Sequence, residues 1–144
     1  MTDGDFMGER TVMDLEGSED FDYSIASTDG RGITEIVLDV MESKDSMFNE
    51  IAQKHNIDIS ALSKAPKTKD EFVGPWQDPA VLLQTVTGLY KALEKEGEEL
   101  VGRKVAGQEI KLKDLQYYKL SLYDIMKFCE VASKKNLRVR FMMY

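Results

Sequence analysis

Residues 76–96 read WQDPAVLLQTVTGLYKALEKE, the pattern of a helix with a defined start and one apolar side. Asp78 followed by Pro79 is a start signal with a mechanism. The carboxylate can accept a first-turn N–H, and proline fills a position whose N–H has no helical partner. Leu82, Val86, Leu89 and Leu93 recur at steps of four, three and four, with Leu83 and Tyr90 beside them. Burying four leucines and one valine at about 1.5–3 kcal/mol each gives a gross driving force on the order of 10 kcal/mol, so an apolar partner surface of similar size is required. Gly88 costs about 1 kcal/mol relative to alanine inside a helix, and is read either as the site of a close approach by another element or as a tolerated blemish. Trp76, just ahead of the cap, is placed to pack on Leu82 as a hydrophobic staple would.

Outward from this helix the chain alternates between helical and strand-like patterns. Ile33, Ile36, Val37, Val40 and Met41 predict a helix over residues 32–43. Ser46 is a suitable N-cap for a shorter helix with Phe48, Ile51 and Ala52 inward, ended by a left-handed Asn56. Residues 64–75 hold two prolines and alternating charge, and read as a surface crossing. Downstream, residues 109–113 alternate as a short strand would, and Ser121 with Asp124 resembles a capping box. Leu122, Ile125, Met126, Cys129 and Ala132 then form the inner face of a helix that stops at Asn136. In the closing run Leu137, Val139, Phe141 and Met143 alternate with Arg138, Arg140, Met142 and Tyr144, the period of a strand.

The 144 residues carry a net charge of −7, distributed unevenly. Residues 1–29 hold nine acids and one base, whereas residues 101–144 hold four acids and ten bases. Residues 10–15 and 21–26 flank the polar, glycine-containing break 16–20 in the manner of a hairpin, and the second run has the better strand alternation. If Phe21, Tyr23 and Ile25 form a strand beside the C-terminal one, Asp20 and Asp22 share its outer face with Arg138 and Arg140. Such opposite charges on adjacent strands contribute roughly 0.2–1 kcal/mol each. The expectation is therefore an α+β fold with three to five helices on one face of a small sheet. That sheet includes an N-terminal strand at about 21–26 and a C-terminal strand at about 137–143. Residues 1–9 are expected to be a disordered acidic arm, and residues 10–144 a single globular domain.

Composition and motifs exclude most chemistry. No apolar run approaches the ~18 residues of a membrane span, and the acidic N-terminus is unlike a secretory signal, so a cytoplasmic location is expected. The single cysteine, Cys129, sits in an apolar helical pattern, as a buried inert thiol does. His55 is the only histidine and has no second histidine or cysteine pair for zinc, so no metal or other cofactor is expected. No phosphate loop or nucleophile elbow is present, which makes a non-enzymatic role the expectation and an enzyme of unknown class a secondary alternative.

Residues 50–64, EIAQKHNIDISALSK, resemble the helix-turn-helix signature of DNA-binding proteins. Ala52 matches the small residue of the first helix, Asn56 stands at the turn, and Ile57 and Leu62 fall near the sites that lock the second helix. That resemblance implies a DNA-binding regulator using residues 46–64. Asp58 and Ile59 depart from it where base-reaching or phosphate-contacting residues belong, and Pro66 shortens the second helix. Nucleic acid is not the expected partner of a chain at −7. Size, acidity and the helix-then-strand ending are similar in layout to the small immunity proteins of bacterial toxin systems. That likeness implies a domain that works by binding another protein, as an immunity protein or adaptor does. The candidate anchors are Trp76, Tyr117, Tyr118 and Tyr144, since large amphipathic side chains dominate interfaces. The chain is expected to be a monomer, or a homodimer formed by strand addition at an edge carrying Met142, Met143 and Tyr144.

Overall fold

The computed structural model describes residues 11–17, 31–66, 71, 73–105 and 108–143. Among these residues four strands, β1 Thr11–Leu15, β2 Lys104–Val105, β3 Gln108–Glu109 and β4 Val139–Met143, accompany four α-helices. The helices are α1 Arg31–Glu42, α2 Met47–Lys54, α3 Pro79–Glu96 and α4 Leu112–Lys134, with short 3-10 segments at Ser60–Lys64 and Gly97–Leu100. The fold is α+β, with helices packed on the sheet that joins the first and last described strands.

β1 and β4 pair antiparallel, Thr11 opposite Met143 through Leu15 opposite Val139. The other edge of β4 is also occupied. Val73 bridges Met142, and Gln77 exchanges backbone hydrogen bonds of 2.6 and 3.0 Å with Val139. Met142 and Met143 are thus inside the sheet and not on a free edge, which corrects the expectation of strand addition there. The alternation read from residues 137–143 is realised. Val139, Phe141 and Met143 are buried, as are Met13 and Leu15 on the same side, while Arg138 and Arg140 take the opposite face.

The described N-terminal strand beside β4 is Thr11–Leu15, the first arm of the expected hairpin. Residues 21–26, with Asp20 and Asp22, lie outside the described residues. The acids that face the two arginines are Asp14, whose Oδ2 accepts from Arg140 Nε at 2.8 Å, and Glu16, whose Oε2 accepts from Arg138 Nη2 at 2.6 Å. Glu16 also accepts the Arg138 backbone N–H at 3.1 Å. These side-chain and backbone hydrogen bonds from Arg138 hold the Glu16 carboxyl below its ordinary range.

The central helix forms as its sequence dictates. Asp78 Oδ1 accepts the Ala80 N–H at 2.9 Å, Pro79 takes the first position, and Leu82, Val86, Leu89 and Leu93 are buried. A Cβ at Gly88 would lie 3.3 Å from the Ile57 side chain, which is the first of the two readings, a close approach. α3 packs most extensively on α4. Two helix starts differ from expectation. Ser46 holds the N-cap position of α2, but its hydroxyl does not cap. Asp39 of α1 does so instead, its Oδ2 accepting the Phe48 N–H at 2.8 Å. α4 begins at Leu112, nine residues ahead of Ser121, where Asp114 Oδ2 accepts the Lys111 N–H at 2.8 Å. Ser121 lies within the helix and donates back to the Tyr117 carbonyl at 3.1 Å. Asn56 and Asn136, both at φ +56°, end α2 and α4 in the left-handed conformation.

Two predictions follow from the sheet and its crossing segment. Gly74 sits against the Lys64 carbonyl, which occupies the space a Cβ would need, while its own N–H donates to Phe141 at 2.8 Å. Gly74→Ala should destabilise the fold by about 1–3 kcal/mol in a urea titration, and an unchanged midpoint would contradict this packing. Because the Glu16 pKa is depressed, its stabilising contribution is present above the unfolded value and is lost as pH falls through the folded one. An NMR titration of Arg138→Gln should return the Glu16 pKa upward towards its ordinary value; no change would mean that Arg138 is not the cause.

Candidate functional site

The four aromatic anchors expected from sequence do not gather into one exposed site. Trp76 is half-buried, its ring covered by Arg140, whose Cζ lies 4.1 Å from the centroid, with Arg138 at 5.9 Å. Each arginine is held in turn by a carboxylate across the β1–β4 pair, so Trp76 completes a cation–π and ion-pair layer on the sheet. Tyr118 is 4% exposed, which corrects its assignment as a surface anchor. Its position three residues after Leu115 and four before Leu122 puts it on the buried stripe of α4 once that helix begins at Leu112. The Tyr118 hydroxyl donates to Glu35 Oε2 at 2.8 Å, and its ring meets Phe48 edge-on at 6.0 Å. Burial, and then the bond to Glu35, push its pKa up and keep it a donor. Tyr117 is half-buried against Tyr118, and Tyr144 lies outside the described residues.

The groups that might have carried chemistry have structural partners. His55 Nε2 lies 2.6 Å from Glu96 Oε2, and Lys54 Nζ lies 3.3 Å from Glu96 Oε1, which ties the end of α2 to the end of α3. Cys129 is fully buried, and desolvation pushes its thiol up to about 12. Among the described residues no cluster of three His, Cys, Asp or Glu side chains could hold a metal ion. The segment resembling a helix-turn-helix has α2 as its first helix, but its second element is the five-residue 3-10 turn Ser60–Lys64 with Ala61 and Leu62 buried. Five residues of 3-10 helix with an inward apolar pair do not make a recognition helix. A shallow cleft of about 380 Å3 between this turn and α3 is lined by exposed Asp58, Ser60, Val81 and Gln84 with half-buried Gly88.

The outward face of α4 is the surface that sequence reading missed. Lys113, Gln116, Leu120, Tyr123, Lys127, Glu130 and Lys134 are all exposed and follow one another at steps of three and four. This seam lies opposite the buried stripe of Leu115, Leu122, Ile125, Cys129 and Ala132. At its centre Leu120 is 63% and Tyr123 42% exposed, and Leu112 lies at its start with 48%. Tyr123 is braced by Tyr90 of α3 at 6.5 Å between centroids. Lys127 Nζ sits 5.3 Å from the Tyr123 ring, and Lys119 Nζ 5.4 Å from that of Tyr90. The Tyr123 hydroxyl and Glu130 favour the charged form of Lys127 and raise its pKa. The result is a rigid helical surface with an apolar and aromatic centre and charged ends. The three-and-four spacing is present in the sequence, but the helix expected to start at Ser121 leaves Leu120 outside it.

No protein-family model, characterised protein or solved structure matches this chain. No helix among the described residues is long and apolar enough to cross a membrane.

Cys129 supplies a direct check on the core. With a thiol pKa of about 12 and no solvent access, the folded protein should resist iodoacetamide at pH 8 and label fully once unfolded in guanidinium. Stoichiometric labelling of the folded protein would contradict the burial of α4's inner face.

Proposed function

We propose that this chain is a non-enzymatic cytoplasmic domain that acts by binding another protein, in the manner of an adaptor or toxin-neutralising protein, through the outward face of α4. The observation that carries this reading is the run of exposed Leu112, Leu120 and Tyr123 on one side of a 23-residue helix whose opposite side is fully engaged in the core. Scattered exposed apolar residues are ordinary, but three on one helix face form a patch of the kind that marks interaction surfaces. Tyr123, half-exposed and braced by Tyr90 and Lys127, has the features of an interface anchor: large, amphipathic and already ordered. The charged residues around it supply a polar rim.

The test is affinity purification of the tagged chain and of Leu120→Glu from native cell extract, each with and without nuclease. Leu120 is 63% exposed, so the substitution leaves the core intact. A protein partner that survives nuclease and is reduced at least ten-fold by Leu120→Glu is the expected result. Capture unaffected by the substitution would reject this face, and capture that depends on nucleic acid would favour a DNA-binding role.

A further inference from the structure

We infer that the outward face of α4 pairs with the same face of a second copy of this chain, as an antiparallel helix pair about a two-fold axis; the inference rests on the binding-face reading above. The seam Lys113, Gln116, Leu120, Tyr123, Lys127, Glu130 and Lys134 has the alternating three-and-four spacing of a seven-residue repeat, the spacing that keeps one line of a helix facing a partner helix. Nothing in the interior of this domain uses that repeat, because every one of those residues is exposed.

The order of side chains along the seam selects the partner. A two-fold axis passing between Ser121 and Leu122 places Leu120 of one copy on Tyr123 of the other, twice, at the centre of the contact. The same register sets Gln116 beside Lys127, and at each end Lys113 opposite Glu130. The apolar pair therefore meets an apolar pair and the cation meets the anion, without adjustment of either sequence. A parallel arrangement in register would instead align Lys113 with Lys113 and Glu130 with Glu130, opposing like charges at both ends. Between Lys111 and Arg138 the chain carries seven bases and three acids, so a complementary position for Glu130 is the feature that the antiparallel register supplies. α4 is about 35 Å long at 1.5 Å per residue. One such helix pair buries an area at the small end of specific interfaces, which places the dimer in the transient class.

Sedimentation equilibrium of the purified full chain, from about 10 µM to 1 mM at about 50 mM salt, tests the assignment. A reversible monomer–dimer equilibrium is expected. Lys113→Glu and Glu130→Lys each place like charges opposite one another at both ends, and each should weaken the dimer about ten-fold or more. Mixing the two variants forms a heterodimer in which both end pairs are again opposite in charge, so the mixture should associate more tightly than either variant alone. Leu120→Glu should abolish association. A chain that remains monomeric to 1 mM, or a dimer indifferent to all three substitutions, overturns the assignment. If the purified chain is monomeric while Leu120-dependent capture of another protein persists, the second-copy assignment falls and the binding-face reading stands. If association and capture are both independent of Leu120, both fall.

Discussion

The constraint on which the structure depends is that β4 is paired along both edges while its two faces meet opposite environments. Its inward residues, Val139, Phe141 and Met143, are buried in the core, and its outward arginines are matched by Asp14, Glu16 and Trp76. A strand with side-chain period two, fixed on both edges, cannot slip by one residue without exposing Phe141 and burying an arginine. The opposite charges across β1 and β4 add selectivity more than energy, since exposed pairs contribute little individually. The helix that leads into it is fixed in rotation by its own buried stripe, which packs mainly on α3. That is why α4 shows one line of side chains to the core and the opposite line outward.

How much of this was legible in the sequence depended on how local the deciding chemistry is. Asp78-Pro79 is a complete start signal in two residues, and Asn56 and Asn136 supply left-handed ends; all three appear where expected. The C-terminal strand was legible because the strict apolar–basic alternation of Leu137, Arg138, Val139, Arg140 and Phe141 has no helical reading. Its partner was legible only in part: residues 10–15 read as one arm of a hairpin, but Val12 interrupts their alternation and leaves a weaker signal than that of Phe21, Tyr23 and Ile25. Strand pairing is a long-range choice, here across more than 120 residues, that local pattern does not encode. The principle that opposite charges select the pairing held for Arg138 and Arg140, but with Glu16 and Asp14 as partners.

Helix starts failed in two instructive ways. The Ser121–Asp124 spacing matches a capping box, yet such spacing also occurs within helices, where serine bonds back to the preceding turn. At α2 the cap comes from Asp39, eight residues before the helix begins. Because α4 begins at Leu112, Tyr118 falls on its buried stripe while Leu120 and Tyr123 share one outward line. The aromatic anchors chosen by residue type alone were drawn mainly from positions that the fold uses for itself. Trp76 is the instructive case: its ring is a platform for two arginines, so the residue most typical of interfaces is engaged within the domain.

The molecule divides into a sheet whose charged layer is internally satisfied and a helix whose outer line is not. The most direct test of that division is a concentration series of amide NMR spectra on the isotope-labelled chain, from dilute to near-millimolar. The expected result is progressive shifts confined to α4 and the adjoining turn of α3 around Tyr90, with Trp76 and the β1–β4 amides unchanged. Shifts centred on β1, β4 or the Trp76 segment would contradict it and would make the sheet the surface through which this chain associates.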